Sequence, residues 1–224
     1  MKRRTLLQSV SVGVWTTAGV VWASPASDFQ TAIIRDNFVT MRKLLQQGMD
    51  PNTVDDAGRP ALVKAVQMDA LRVAQELLAM PQTRINDAST SGETALMHAC
   101  IKGNLSLVQQ LLGRGARINH PGWTPLHYVA SADQEHSLTI ARILLERHAY
   151  IDAESPNKST PLMLAAQYGS QDMVQLLLDA GADVQLRNQL GLSAVDFAQR
   201  SERAFMVKLL QNAMQASRPA KGNW

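Results

Sequence analysis

Side chains able to do chemistry are few in this 224-residue chain. The five His are His98, His120, His127, His136 and His148, and Cys100 is the only Cys. A metal needs three or four converging donors, and no His-Glu-x-x-His spacing supplies them. No Gly-rich phosphate loop and no Gly-x-Ser-x-Gly elbow is present. The carboxylates are scattered, and the adjacent pair Asp55-Asp56 sits in a turn-rich stretch. Cys100 lies two residues from His98, but no Cys-His-Asn pattern completes a nucleophile. It reads as a small buried residue that cannot mispair, since a lone Cys forms no internal disulfide. The residues therefore predict a protein that is not an enzyme and takes no cofactor and no metal. The rival reading is an enzyme or ligand carrier with a pocket near His98, His127 and Tyr128.

The pattern around one of these His is more informative. In Gly122–Ala130, "GWTPLHYVA", Thr124 suits a helix N-cap and Pro125 the first helical position. Leu126, Val129 and Ala130 follow with helical spacing. Related stretches begin at Gly92 ("GETALMHAC"), Ser159 ("STPLMLAA"), Gly191 ("GLSAVDFA") and, in worn form, Gly58 ("GRPALVKAV"). A Leu-Leu pair ends at Leu45, Leu78, Leu112, Leu145, Leu178 and Leu210, at spacings of 33, 34, 33, 33 and 32. A third marker recurs as "QQGMDPN" from Gln46, "GRGARIN" from Gly113, "ERHAYID" from Glu146 and "DAGADVQ" from Asp179. Three markers in one order at one period are the mark of a stacked repeat.

On Thr124-Pro125-Leu126-His127, Thr160-Pro161-Leu162, Ala165-Ala166, Gly115-Ala116 and Gly181-Ala182-Asp183-Val184, the chain resembles the ankyrin repeat family. The resemblance spans about residues 28 to 214. It implies an all-α solenoid of about four full repeats with two degenerate capping repeats, Asp28–Gln47 and Gly191–Ala213. Each repeat would be a turn, two antiparallel helices and a finger reaching to the next repeat, giving about twelve helices. Atypical ends fit such an array, because a terminal repeat has no neighbour over its outer face. His127 fills the family's His slot, where the ring bonds backbone near the turn and ties repeats together; Met97 takes that slot one repeat earlier.

The resemblance also implies that fingers and first helices line a concave, protein-binding face. Function would then sit at positions that vary from repeat to repeat. Before the Thr slot stand Arg59, Glu93, Trp123, Ser159 and Leu192. After the two small residues come Gln67-Met68, Ile101-Lys102, Ser131-Ala132, Gln167-Tyr168 and Arg200-Ser201. The candidate binding residues are Arg59, Met68, Glu93, Ile101, Lys102, Trp123, Gln167, Tyr168 and Leu192. Trp123 and Tyr168 lead, since aromatic side chains anchor interfaces; both are expected to be accessible, with Glu93 and Lys102 at their rim. Two irregularities stand out. The finger before Trp123 is short, with Thr124 nine positions after Gly115 against Ser193 twelve positions after Gly181. Lys158 takes a turn-Gly slot, where positive φ costs about 1 kcal/mol or more.

The N-terminus reads as an address. Lys2, Arg3 and Arg4 precede a mostly apolar run from Leu6 to Trp22, and small residues end at Ala23 and Ala26. That is the layout of a secretory signal peptide over residues 1–26, with Arg3-Arg4 resembling a twin-arginine start. The alternative is an uncleaved membrane anchor on a tethered structural protein. Residues 27–214 would form the repeat domain and 215–224 a disordered basic tail. The whole chain carries 22 Lys and Arg against 19 Asp and Glu. Removing the three N-terminal cations leaves a formally neutral body, which argues against a nucleic-acid partner. The expectation is a periplasmic, monomeric module that binds another protein by its concave face as scaffold, protector or immunity factor, with membrane contact only if the address is retained.

Overall fold

The structure, a computed structural model, describes residues 25–216. Among them are twelve helices in six consecutive pairs: α1 (Pro25–Ile34) and α2 (Phe38–Gln46), α3 (Ala61–Gln67) and α4 (Leu71–Ala79), α5 (Ala95–Ile101) and α6 (Leu105–Gly113), α7 (Pro125–Ala130) and α8 (Ser137–Glu146), α9 (Pro161–Tyr168) and α10 (Gln171–Asp179), α11 (Ala194–Arg200) and α12 (Ala204–Ala216). The first helices stack in order, α1 on α3 through α9 on α11. The only extended pairing among the described residues is two isolated bridges, Val54 with Pro60 and Ala88 with Thr94. The repeat count and period read from the sequence are those of the structure. No helix of the described residues is long and apolar enough to cross a membrane.

The expected domain boundaries fall inside helices. α1 already includes Pro25 and Ala26, and residues 1–24 lie outside the described part. At the other end α12 runs on to Ala216. Gln215 and Ala216, expected in a disordered tail, are helical because Met214 still packs against the core. Residues 217–224 lie outside the described part.

Four of the first helices, α5, α7, α9 and α11, begin with one device. The N-cap N–H would be orphaned at a buried helix end, and the third helical residue accepts it. Met97 Sδ accepts from Thr94 N–H at 3.4 Å and Met163 Sδ from Thr160 at 3.4 Å. His127 Nδ1 accepts from Thr124 at 3.2 Å, and Asp196 Oδ2 from Ser193 at 2.7 Å. In the worn repeat Pro60 is the N-cap. Proline has no N–H, so Val63 needs no acceptor there.

The Leu-Leu pairs build the core. Leu77, Leu111, Leu144, Leu177 and Leu210 are wholly buried, and complete burial of a Leu contributes about 1.5–3 kcal/mol. Small residues in the first helices let neighbours approach. Gly169 shows how closely: a Cβ there would lie 2.4 Å from the carbonyl oxygen of Ala130 in the preceding repeat. Cys100 is buried in a small slot, and burial pushes its thiol far above the usual range.

The fingers are cross-linked by a ladder one repeat apart. Asn52 accepts from the Arg84 N–H at 2.7 Å and donates to the Gln82 carbonyl at 3.1 Å. Asn86 does the same with Arg117 (2.7 Å) and Gly115 (3.1 Å), and Asn119 with Tyr150 (2.9 Å) and His148 (2.7 Å). The next rung is Asp152, which accepts from Asp183 N–H at 3.1 Å but has no amide to donate.

Candidate protein-binding face

Four fingers end in the same tight turn. Its bonds run from Asp55 N–H to Arg59 O, Ser89 to Glu93, Ser155 to Ser159 and Asn188 to Leu192, at 2.9 to 3.0 Å. The tip residue takes positive φ in each: Gly58, Gly92, Lys158 (φ 62) and Gly191. Lys158 thus keeps the left-handed backbone and does not remodel its finger. The shortened finger before Trp123 keeps the positive φ at Gly122 but makes no such turn bond. The Trp123 indole meets the His127 ring edge to face, centroids 5.3 Å apart at 80°.

Beside Trp123 a groove of about 410 Å³ opens across α5, α7 and α9, walled by Ile101, Trp123, His127, Tyr128, Ser131, Leu164 and Tyr168. Its surface is chiefly apolar. Tyr168 is 59% exposed and Ile101 38%. Trp123, expected to be open, is half-buried; packing on His127 covers part of the ring. The structure therefore brings Ile101, Trp123 and Tyr168 to one place. Gln167 and Lys102 are half-buried neighbours on the same helix ends.

Glu93 joins the groove through Tyr128, whose hydroxyl donates to Glu93 Oε1 at 2.7 Å. Ser91 donates to Oε2 at 3.0 Å. Burial works to raise the Glu93 pKa, but the two hydroxyls and His98 outweigh it and hold the carboxyl below its usual range. His98 Nε2 lies 3.8 Å from Oε2 and has no hydrogen-bond partner. Burial depresses the His98 pKa against the pull of Glu93, and Lys102 adds to the depression. The Tyr128 hydroxyl is pushed up by burial and by Glu93.

The remaining candidates stand apart. Arg59 is paired with Asp55 at 2.8 Å and donates to Gln67 at 3.1 Å. Near them Lys64 is buried, bonded to Gln30 at 2.8 Å and 3.3 Å from Asp55. Desolvation works against the Asp55 charge, but Arg59 and Lys64 hold its pKa at about 2. Met68 is 43% exposed at the end of α3, and Leu192 is half-buried in the last finger. The structure does not join these three to the groove. Sequence reasoning missed Tyr128 and Leu164 as binding-face residues. They share the slot after the family His, where Lys64, His98 and Phe197 also stand, and that variability was the available sign.

His127, wholly buried, uses both ring nitrogens. Nδ1 lies 2.9 Å from Thr124 Oγ1, and Nε2 lies 2.9 Å from the Ser159 carbonyl in the next repeat. Among the described residues no group of three His, Cys, Asp or Glu could hold a metal ion.

A family model for ankyrin repeats (3 copies) matches residues 73–155, 101–188 and 132–218. The chain belongs to the ankyrin repeat family. It is 31% identical over 158 residues to the ankyrin repeat protein YahD of Escherichia coli (strain K12), covering 67% of this chain and 78% of YahD. It is 30% identical over 161 residues to transient receptor potential cation channel subfamily A member 1 of Homo sapiens. That match covers 68% of this chain but only 14% of the channel. A chain from a solved structure, the predatory endopeptidase Bd0816 of Bdellovibrio bacteriovorus in complex with immunity protein Bd3460, superposes with TM-score 0.70 at 23% identity. The superposition covers 83% of this ankyrin protein and 97% of that chain. The repeats make the protein a protein-binding module.

Proposed function

We propose that this ankyrin protein is exported to the periplasm, where it binds one other protein stoichiometrically as a monomer and shields or inhibits it. The groove between α5, α7 and α9 carries the reading. An aromatic-walled, largely apolar groove with Tyr168 and Ile101 open to solvent is the composition of an interface anchor. The single Cys, buried and unpaired, suits an oxidising compartment. The N-terminal layout of charge, apolar run and small residues supports export. The fold it shares with a chain of an endopeptidase–immunity protein complex makes a protective or immunity role the favoured form of that binding, though a fold alone does not assign a function. The test is affinity capture from periplasmic extract with the mature chain as bait. One protein should be retained near 1:1, and Tyr168→Ala should release it. Equal capture by Tyr168→Ala would remove the groove from the interface.

A further inference from the structure

Glu93 stands beside the groove with no Lys or Arg within 4 Å. Its carboxylate is held ionised by the hydroxyls of Tyr128 and Ser91, and its side chain keeps 29% of its surface exposed. The nearest basic side chain, His98 at 3.8 Å, has its pKa lowered by burial against the pull of Glu93. Lys102 forms no ion pair with Glu93 within 4 Å. By contrast, Asp55 in the preceding finger is paired by both Arg59 and Lys64, and Asp196 in the last repeat has Arg187 at 3.6 Å. Of these three carboxylates, Glu93 alone has no Lys or Arg within 4 Å, and Tyr128, bonded to it, is one of three aromatic residues in the groove wall.

Those rings are Trp123, Tyr128 and Tyr168. Tyr128 connects the two features, with its ring in the groove wall and its hydroxyl on the carboxylate. Aromatic faces attract cations, and a guanidinium also stacks flat on them. A carboxylate with a free lone pair on each oxygen accepts a guanidinium at two points. An ammonium would gain the charge but lose the stacking and the fork.

Resting on the protein-binding reading, we propose that the groove receives an arginine side chain from a loop of the partner protein. Its stem lies against Ile101 and Leu164, its guanidinium lies among the aromatic rings, and Glu93 takes the charge. The source of the arginine is the partner; the basic N-terminal segment and the C-terminal tail of this chain are the occupants to be excluded.

The probe is the peptide acetyl-Leu-Arg-Leu-amide, with its citrulline counterpart as a neutral isostere. Each is titrated into the full ¹⁵N-labelled chain, and the Trp123 indole N–H signal is followed after assignment by Trp123→Phe. The arginine peptide should shift that signal saturably, and the citrulline peptide should bind at least tenfold more weakly. Glu93→Gln, which keeps an acceptor for Tyr128, should level the two while leaving the Tm unchanged. Equal binding of the two peptides, no shift with either, or an arginine preference surviving Glu93→Gln would each overturn the proposal. If the signal already lies at its shifted position in the free chain, and moves back when residues 1–23 or 217–224 are removed, the occupant is internal and the proposal falls. In capture of the partner, loss with Tyr168→Ala but not with Glu93→Gln would sink the arginine and leave the binding module standing.

Discussion

The imidazole of His127, in the first turn of α7, reaches the backbone carbonyl of Ser159 at 2.9 Å, thirty-two residues along the chain. With Nδ1 accepting from the Thr124 N–H, the ring must be neutral and carry its proton on Nε2. One side chain thus caps its own helix and fastens the next repeat. Met97 and Met163 do only the first of these jobs.

The neutral ring makes stability depend on pH. Burial lowers the His127 pKa to about 4, against the bonds to Ser159 and Ala153, while an unfolded His titrates near 6.5. Between those values the unfolded chain holds more protons, so stability rises with pH and is complete above about 6.5. Acidification from pH 7 to 4 should remove about 3 kcal/mol, seen as a falling Tm. His127→Met should fold, since Met serves that slot in two other repeats, and should flatten the decline between pH 6.5 and 4. The later decline from Asp55, between about pH 4 and 2, should remain. An unchanged pH profile in His127→Met would show the ring is not the titrating group.

Asp152 is the flaw in the finger ladder. Its carboxylate accepts from the Asp183 N–H but cannot donate as Asn52, Asn86 and Asn119 do. Burial and the Asp183 charge both raise its pKa, against the Asp183 N–H bond. Asp152→Asn should restore the donor, directed at the Gly181 carbonyl, and remove a charge. A gain of about 1 kcal/mol at pH 7 is expected, roughly 2–4 °C in Tm. The raised pKa means the wild-type penalty applies where Asp152 is ionised, so the advantage should shrink in acid. A lower Tm for Asp152→Asn at pH 7 would mean that the carboxylate has a partner worth more than the ladder bond.

The fold was legible because a stacked repeat must restate the same physics every turn of the array. Each unit needs a capped helix start, a Leu-rich stripe and small residues at close crossings, so the period is written several times over. The ladder was also on the page, as the last letter of "QQGMDPN" and "GRGARIN", but nothing in one repeat says that Asn119 reaches into the next. The groove was harder to see. Trp123 and Tyr168 were found as variable aromatics, yet their meeting depends on the stacking of α7 on α9. Tyr128 was named only for the pocket of the rival enzyme or carrier reading, and Leu164 was hidden because its slot sits amid core residues.

The proposed export has a covalent readout. Cleavage after Ala23 would leave Ser24 ahead of an intact α1, which begins at Pro25. Cleavage after Ala26 would remove the first two residues of that helix. N-terminal sequencing of the protein recovered from periplasmic extract should therefore return Ser24. Full-length chain in washed membranes would instead establish an anchor. Arg3-Arg4 replaced by Lys-Lys should stop export only if the twin-arginine route is used.

Tyr168 and Trp123 separate binding from folding because they are buried to different degrees. Tyr168 is 59% exposed, so Tyr168→Ala should change stability by no more than about 0.5 kcal/mol, as for an ordinary surface site. Trp123 is half-buried on His127, and an aromatic edge-to-face contact contributes about 0.5–1.5 kcal/mol beyond its burial. Trp123→Ala should therefore lower the Tm by several degrees, while Trp123→Phe keeps the contact and most of the stability. Loss of an anchor ring commonly costs about 2 kcal/mol or more of binding, near thirtyfold in affinity. Tyr168→Ala should show that loss with its Tm intact, so the defect lies in the interface and not in the fold. If Tyr168→Ala binds as the parent does while Trp123→Ala loses binding and stability together, the rings serve the repeat's own packing. The partner must then seat elsewhere on the face, where Met68 and Arg59 are the next residues to replace.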